Sequence, residues 1–440
     1  MILTLAYSFL NSGLISYMLL IFWSFISVIF LLKGDRSIFY ALILANAYQV
    51  YGNSIYQSNF IYISIIYFLI LTFFSLEWKK LLKAPLIFLF LILFLMVRIV
   101  IGAIDVFSIY FFIVELVLFF TLFLFAIYFF NSSLKESQIF INELRNYTLI
   151  YFPYYSIISL TKGELINLKP FYLDEFGHFY LISILPIIFL TIKSKKTIVF
   201  LIIFHLLFIT IRVKYLFISS FAFIGAGIAL IIITIFYLKK FTKILIPIIL
   251  ILGILTYIVQ NNSSVFGNHK IDQISKTLKK LPELSNLSQL NKVPNSPRTR
   301  ILEVLNIHAD LSNSGLLFLF FGKGIGGYFT DREFPFRNYN VRLDKSAFSS
   351  KEILESKFIK PHNTIPYVLL KLGYLGVLFI LYVCYLSLKY LPKDYWIRYV
   401  VTAYILILFG AGFKNFIIIG SLIGIVFSYE AKINSSRLSG

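Results

Sequence analysis

The stretch FIKPHNTIPYVLLKLGYLGVLFILYV, Phe358 to Val383, joins a polar segment to a long apolar run. The polar part contains His362, and two glycines, Gly373 and Gly376, interrupt the apolar part. A run of this length is sufficient to cross about 30 Å of hydrocarbon. The stretch therefore predicts a membrane-spanning helix with an imidazole at its amino-terminal end.

The composition of the whole chain extends this prediction. Of the 440 residues, 59% are hydrophobic and 14% are charged, and the mean hydropathy is +0.86. Soluble domains have roughly 45–50% apolar and about 25% charged residues. A soluble fold would expose too much apolar surface, so we expect an all-α polytopic membrane protein. The apolar start lacks the basic region and small-residue site of a cleavable signal, and the single cysteine, Cys384, excludes an intrachain disulfide.

Apolar runs divide the chain into about 12 predicted spans. The runs are 14–32, 37–52, 59–76, 86–104, 106–130, 146–160, 179–192, 198–211, 215–238, 244–259, 363–388 and 399–429. The last is long enough to break into two near Lys414 and Asn415. The predicted organisation is a helix bundle over 1–259, a loop domain over 260–361, and carboxy-terminal spans with a short tail over 362–440.

The net charge of +20 follows the predicted topology. Basic residues cluster at every second connection, namely Lys33/Arg36, Lys79/Lys80/Lys83, Lys135/Arg145, Lys193/Lys195/Lys196, Lys239/Lys240/Lys243 and Lys389/Lys393/Arg398. The connections near 53–58 and 105 carry almost no positive charge. This alternation places the basic connections in the cytoplasm. It argues against a nucleic-acid partner, and it places the connections 161–178 and 260–361 on the outer face.

The connection 260–361 is too long for an ordinary loop and is not of low complexity. Apolar residues at helical spacing predict one helix in KIDQISKTLKKL, 270–281. In NSPRTRILEVLNIHADL, 295–311, Ser296 is a candidate cap and Pro297 the first helical residue. With 15 Lys/Arg against 9 Asp/Glu, this structured domain would attract an anionic ligand.

His362 is the candidate catalytic residue of this surface. At about 100° per residue, Gly373 and Gly376 would lie beneath it on one helical face, where small residues allow close helix approach. The amino-terminal end of the helix would face the outer surface. An imidazole can accept a proton near neutral pH. The alternative is an interfacial histidine that caps the helix.

Several cations are predicted to share the outer surface with His362. Arg212 and Lys214 lie just beyond the outer end of the span 198–211. Arg298 and Arg300 lie at the start of the loop helix, and Lys323 lies in the glycine-rich FFGKGIGGYF. Such a turn could offer backbone N–H groups to phosphate, although it lacks the context of a nucleotide loop. Each cation taken alone is more typical of a headgroup anchor. Together with His362 they suggest a diphosphate site.

Three motifs and the predicted topology resemble the bacterial O-antigen polymerase (Wzy-type) and O-antigen ligase superfamily. The first is HNTIPYVLLKLGYLG, 362–376, a His-Asn pair followed by two spaced glycines. The second is RTRILEVLNIHADL followed by FGKGIGGYF, similar to an Arg-helix-GxG stretch in the large loop. The third is TIRVKYLFISSF, in which Ile211 stands where the family usually has a small residue before the arginine.

The resemblance implies a membrane glycosyltransferase of GT-C-like architecture in the bacterial inner membrane, with its active site facing the periplasm; the absence of a metal-ligand cluster in the sequence predicts that it is independent of metal, and we expect no cofactor. The donor and acceptor would be undecaprenyl-diphosphate-linked oligosaccharides, and a chain-length regulator would be a partner. His362 would be the general base and Asn363 would orient it or bind sugar. The substrate-binding cations would be Arg212, Lys214, Arg298, Arg300 and Lys323. The sequence shows no cluster with metal-ligand spacing.

Other functions stay open at this point. A ligase would share the motifs and transfer the glycan to lipid A core, and the looser motifs favour the polymerase only by analogy. A flippase or exporter of lipid-linked sugars would carry intramembrane charges such as Arg98 and Glu115, which a buried structural ion pair explains better. A non-catalytic membrane scaffold is a third alternative.

Overall fold

The structure is a computed structural model that describes residues 25–26, 29, 40, 86–102, 107–146, 287–343, 348–362, 364–392, 397–398, 401–402, 405 and 416–438. In chain order its helices are α1 (Leu86–Gly102), α2 (Ile109–Asn131), α3 (Leu134–Asn146), α4 (Asn295–Asn313), α5 (Leu316–Phe321), α6 (Ser350–Glu355), α7 (Thr364–Tyr390) and α8 (Phe416–Leu438). Short 3₁₀ helices cover Leu287–Lys292 and Phe336–Tyr339, and two strands, β1 (Phe329–Thr330) and β2 (Lys357–Phe358), form an antiparallel pair.

The described part of the chain is mostly helical, with 79% of its residues in helices. Two stretches, Phe111–Asn131 in α2 and Ile365–Tyr390 in α7, are long and apolar enough to cross a membrane. This is compatible with the predicted all-α membrane fold. Helices α1, α2 and α7 coincide with the predicted runs 86–104, 106–130 and 363–388, and α8 begins at the predicted break after Asn415. The other predicted spans before residue 260 lie outside the described residues except for residues 25–26, 29, 40 and 146, so the number of 12 stays a prediction.

Helices α2 and α8 pack closely along their length. Gly420 and Gly424 of α8 lie so near Leu122 and Ala126 of α2 that a Cβ on either glycine would overlap with a backbone carbonyl oxygen. Small residues four apart are a common means of close helix contact in membranes. The spacing GSLIG at 420–424 was visible in the sequence, but the contact partner was not.

The amphipathic helix α3 lies at the carboxyl end of α2. Ser133 and Glu136 cap it reciprocally, with the Glu136 N–H donating to Ser133 Oγ at 3.2 Å and the Ser133 N–H to Glu136 Oε2 at 3.0 Å. Its buried face includes Phe140 and Leu144. The Lys432 ammonium donates to the Ser132 carbonyl at 3.2 Å, which fixes the end of α8 here. This end of the bundle contains the basic connection predicted to be cytoplasmic.

The loop domain lies at the opposite end of α2 and has its own apolar core. The rings of Phe329, Phe336 and Phe348 surround Phe358, with centroids 5.0–5.3 Å from its ring. Leu369 and Leu370 of α7 belong to the same core. The core therefore continues past the predicted domain boundary at 361 into the first turns of α7.

Helix α7 is broken at Gly373, which has φ 66° and ψ −167°. Glycine adopts this conformation readily, whereas a Cβ here would overlap with the Phe320 carbonyl. The helical-wheel prediction that placed both glycines beneath His362 is therefore wrong, because it assumed a continuous helix. Gly376 instead packs against Leu372 and Val368 across the break.

Of the two helices predicted in the loop, that over 270–281 lies outside the described residues, and that over 295–311 is present but begins earlier than expected. Helix α4 starts at Asn295 with Pro294 at the cap position, so Ser296 is inside the helix and not its cap. The Asn295 side chain joins the Arg342 backbone through two hydrogen bonds of 2.9 Å. This tertiary contact anchors the helix start and explains why the local capping signal misplaced it.

Candidate catalytic pair

His362 and Glu303 form a close side-chain pair. The Nδ1 atom of His362 lies 2.5 Å from Glu303 Oε1, and the His362 backbone N–H donates to Glu303 Oε2 at 3.1 Å. Glu303 is fully buried, whereas a quarter of the His362 side chain is exposed. The pair joins residues 59 positions apart in the chain. Sequence reasoning proposed His362 and missed its partner.

The fold positions both members of the pair from separate elements. Glu303 lies on the buried face of α4, one turn from Thr299 and Ile307. His362 follows β2, and the ring of Phe348 stands edge-on to it with centroids 5.0 Å apart. Because Phe348 also contacts Phe358, the aromatic core of the loop domain holds the imidazole in place. The orientation of His362 thus depends on tertiary packing.

The geometry suits a histidine that acts through Nε2. With its proton on Nδ1, the imidazole donates to the Glu303 carboxylate, and its lone pair is on Nε2. No described residue forms a hydrogen bond to Nε2. A carboxylate in this position both orients the ring and stabilises the imidazolium that forms when Nε2 accepts a proton. A histidine that only capped α7 would need neither property.

Arg298, a predicted diphosphate ligand, is engaged inside the loop domain. Its Nη1 donates to the Tyr339 carbonyl at 2.7 Å and the Asn291 carbonyl at 3.3 Å, and only 9% of the residue is exposed. Burial lowers the pKa of the guanidinium below its ordinary value. In this geometry Arg298 ties α4 to the two 3₁₀ segments. A role toward a diphosphate stays a prediction.

Replacing Arg298 by alanine should lower the stability of the loop domain by about 2–3 kcal/mol, because two backbone carbonyls lose a charged donor. Arg332→Ala is the matched control, since Arg332 is exposed and surface changes are usually within about 0.5 kcal/mol. Thermal unfolding of the two purified variants measures the loss of stability in each. An Arg298→Ala variant that unfolds like the control but no longer transfers glycan would favour the diphosphate role instead.

Lys323 is paired with a carboxylate of the same domain. Its Nζ lies 2.5 Å from Asp310 Oδ2, and each side chain is 19% exposed. The ammonium also lies 5.4 Å from the centre of the Tyr328 ring. Asp310 neutralises this charge, so Lys323 offers a phosphate less attraction than an unpaired lysine would.

The backbone N–H groups of the glycine-rich turn bind protein groups. Those of Lys323 and Gly324 donate to the carbonyls of Leu370 and Lys371 at 2.7 and 3.1 Å, where α7 breaks. The Gly326 N–H donates to the Glu115 carboxylate at 2.7 Å. The amides that the sequence suggested for phosphate thus fasten the loop domain to the bundle.

A buried polar network completes this attachment. The Glu115 carboxylate accepts from Lys371 Nζ at 2.8 Å and from the Tyr367 hydroxyl at 3.1 Å, and Lys371 also donates to the Gly327 carbonyl at 2.6 Å. Arg98 donates to the Phe321 carbonyl at 2.8 Å. The predicted Arg98–Glu115 pair is therefore wrong: the partner of Glu115 is Lys371, a charge visible within the run 363–388.

The remaining predicted site residues divide into two groups. Arg300 is half-buried on α4, one turn before Glu303. Arg212, Lys214 and Asn363 lie outside the described residues. Within the described ranges, no group of three or more His, Cys, Asp or Glu side chains is placed to hold a metal ion.

Comparisons of the chain with protein-family models, with curated proteins and with solved structures yield no match. The function of this chain must therefore be inferred from its own geometry and from the resemblance of its motifs.

Proposed function

We propose that this protein is a membrane glycosyltransferase that polymerises lipid-linked glycan units, with His362 as general base. The observation that carries the proposal is the contact between the His362 imidazole and the fully buried Glu303 carboxylate. The pair lies where the loop domain meets α7, the position that the His-Asn motif led us to expect. The substrate class is inferred from the motifs, and general-base catalysis is inferred from the His362–Glu303 pair.

In the proposed reaction His362 Nε2 removes the proton of an acceptor sugar hydroxyl. The hydroxyl oxygen attacks the anomeric carbon of the donor as the bond from that carbon to the diphosphate oxygen breaks. Undecaprenyl diphosphate leaves as an anion, so the leaving group needs no proton. The proton remains on His362, and the negative charge of Glu303 stabilises the resulting imidazolium until solvent accepts it.

The leaving group requires positive charge that is in place before the reaction. Among the predicted cations of the described region, Arg300 is the best placed, because it lies one helical turn from Glu303 and has the fork geometry that suits phosphate. Lys360, two residues before His362, is an additional candidate, and its Nζ lies 4.9 Å from the centre of the Phe111 ring. Arg212 and Lys214 stay part of the proposal from the sequence.

The proposed location is the bacterial inner membrane, with the pair facing the periplasm. The arrangement of α2 supports this: the loop domain contacts its amino-terminal end through Glu115, and helix α3, which carries Lys135 and Arg145, follows its carboxyl end. Basic connections are retained in the cytoplasm. The catalytic pair would therefore lie on the periplasmic side, where the resemblance places the active site.

Purified chain in proteoliposomes should extend undecaprenyl-diphosphate-linked repeat units into a ladder of longer products without any other acceptor. Electrophoresis of the labelled lipid fraction would show this ladder. Transfer only when lipid A core is added would establish the ligase instead, since ligase and polymerase differ in acceptor. No transfer to either acceptor by a folded chain would contradict the glycosyltransferase proposal.

A further inference from the structure

Helix α5 of the loop domain exposes an unbroken run of apolar residues. Its sequence is LLFLFF, and the structure buries none of its residues fully. Leu316 and Leu317 are 72% and 74% exposed, and Phe318 and Phe320 are also exposed. In water such a surface would be unfavourable, because apolar area is stabilised by leaving contact with water. Its surroundings show what covers it.

The position of α5 along the bundle is set by contacts on two sides. The Phe321 ring lies 5.9 Å from that of Phe94, and the Phe321 carbonyl accepts from Arg98. Phe94 and Arg98 precede the end of α1 at Gly102 by eight and four residues. With a rise of about 1.5 Å per residue, α5 ends about 6–12 Å along α1 from that end.

Helix α5 contacts α7 at a similar distance from the end of α7 that is nearest the loop domain. The Phe320 carbonyl lies against Gly373, nine residues after the start of α7, which is about 13 Å along the helix. From this point α7 exposes a continuous apolar stripe that includes Leu378 and Leu381. Helix α5 thus meets α7, a helix long and apolar enough to span a membrane, at the point where the exposed stripe of α7 begins.

The turn that follows α5 meets the condition for non-helical backbone at membrane depth. Backbone polar groups in hydrocarbon must find partners within the protein. Here the N–H groups of Lys323 and Gly324 donate to carbonyls of α7, that of Ile325 to the Arg98 carbonyl at 3.3 Å, and that of Gly326 to Glu115. The Gly327 carbonyl accepts from Lys371. Arg98, Glu115 and Lys371 therefore all serve this one segment.

We propose that residues 315–327 form a re-entrant segment that enters the outer leaflet, with α5 facing lipid hydrocarbon and the glycine-rich turn facing protein. The occupant of the α5 surface is bilayer lipid, because α5 exposes apolar side chains and contacts α7 where the exposed apolar stripe of that membrane-length helix begins. The segment would hold the loop domain, and with it the His362–Glu303 pair, at the membrane surface. The inference requires the membrane location proposed above and is independent of catalysis.

Tryptophan fluorescence in proteoliposomes tests this placement. In a chain whose native tryptophans are replaced by phenylalanine, Leu317→Trp should emit at shorter wavelength and be quenched several-fold more by lipids brominated near the headgroup than Leu354→Trp. Leu354 is the matched control, an 85% exposed leucine on α6, a helix as short as α5. We expect aqueous acrylamide to quench Leu354→Trp and to leave Leu317→Trp nearly unaffected.

Leu381→Trp, on the exposed stripe of α7, distinguishes failure of the re-entrant segment from failure of the proposed membrane location. If bromolipid quenches Leu381→Trp but not Leu317→Trp, the re-entrant segment is refuted and the membrane location stands. If it quenches neither, the membrane location itself fails. A Leu317→Trp residue shielded from both bromolipid and acrylamide would mean that protein covers α5, which also overturns the inference. Leu316→Trp repeats the test should the first variant fold poorly.

Discussion

His362→Ala should lower the rate of glycan transfer by about 10²–10⁴-fold, the range typical for loss of a general base. Donor binding should change little, because a base acts in the transition state and not in the ground state, so kcat falls while KM is nearly unchanged. The measurement is the initial rate of polymer formation in proteoliposomes. It is compared with the amount of folded chain in the same vesicles.

His362→Asn distinguishes catalysis from capping. Asparagine is a good helix cap, and loss of a cap is worth only about 1 kcal/mol of stability, but an amide cannot accept a proton near neutral pH. We therefore expect the Asn variant to be as slow as the Ala variant. A rate close to that of the unmodified protein would show that His362 does not act as a base.

Glu303→Gln should lower the transfer rate by at least about 10²-fold, the lower end of the same range. The amide matches the carboxylate in shape and can still accept from the His362 backbone N–H. It is neutral, however, and cannot stabilise the imidazolium that forms during the reaction. Its NH₂ group can also donate to Nδ1, which would place the imidazole proton on Nε2 and remove the lone pair that acts as base.

Glu352→Gln is the matched control for Glu303→Gln. Glu352 is 3% exposed and belongs to the same domain, where its carboxylate caps α6 and accepts from the Ile359 N–H at 3.0 Å. Its replacement should destabilise the loop domain but leave the rate per folded molecule nearly intact. Equal rate losses in the two variants would show that Glu303 has only a structural role.

The sequence predicted the helices well where the signal was local. The runs 86–104, 106–130 and 363–388 matched α1, α2 and α7 because an apolar run of that length has few other structures. It failed at Gly373, where the break in α7 depends on the Phe320 carbonyl, a contact from a distant segment. The start of α4 was displaced for a similar reason, the contact of Asn295 with Arg342.

Only one of the two residues of the candidate catalytic pair could be predicted from the sequence. His362 was identified by its position before an apolar run, whereas Glu303 was hidden within a periodic helix. Its signal was weak: an acid one turn before Ile307, on the face that the apolar pattern predicts to be buried. The pairing of Glu303 with His362, 59 residues apart, depends on how α4 packs against β2. The periodicity of the sequence does not predict this packing. For the same reason the sequence paired Glu115 with Arg98 and overlooked Lys371.

A double-mutant cycle on His362 and Glu303 tests the central claim most directly. Initial rates of transfer from purified lipid-linked repeat units are measured for His362→Ala, Glu303→Gln and the double variant. Residues that act as one catalytic unit give strongly non-additive losses, so we expect the double variant to be about as slow as His362→Ala alone. Losses that multiply, with the double variant slower by the product of the two single effects, would contradict a Glu303-oriented base.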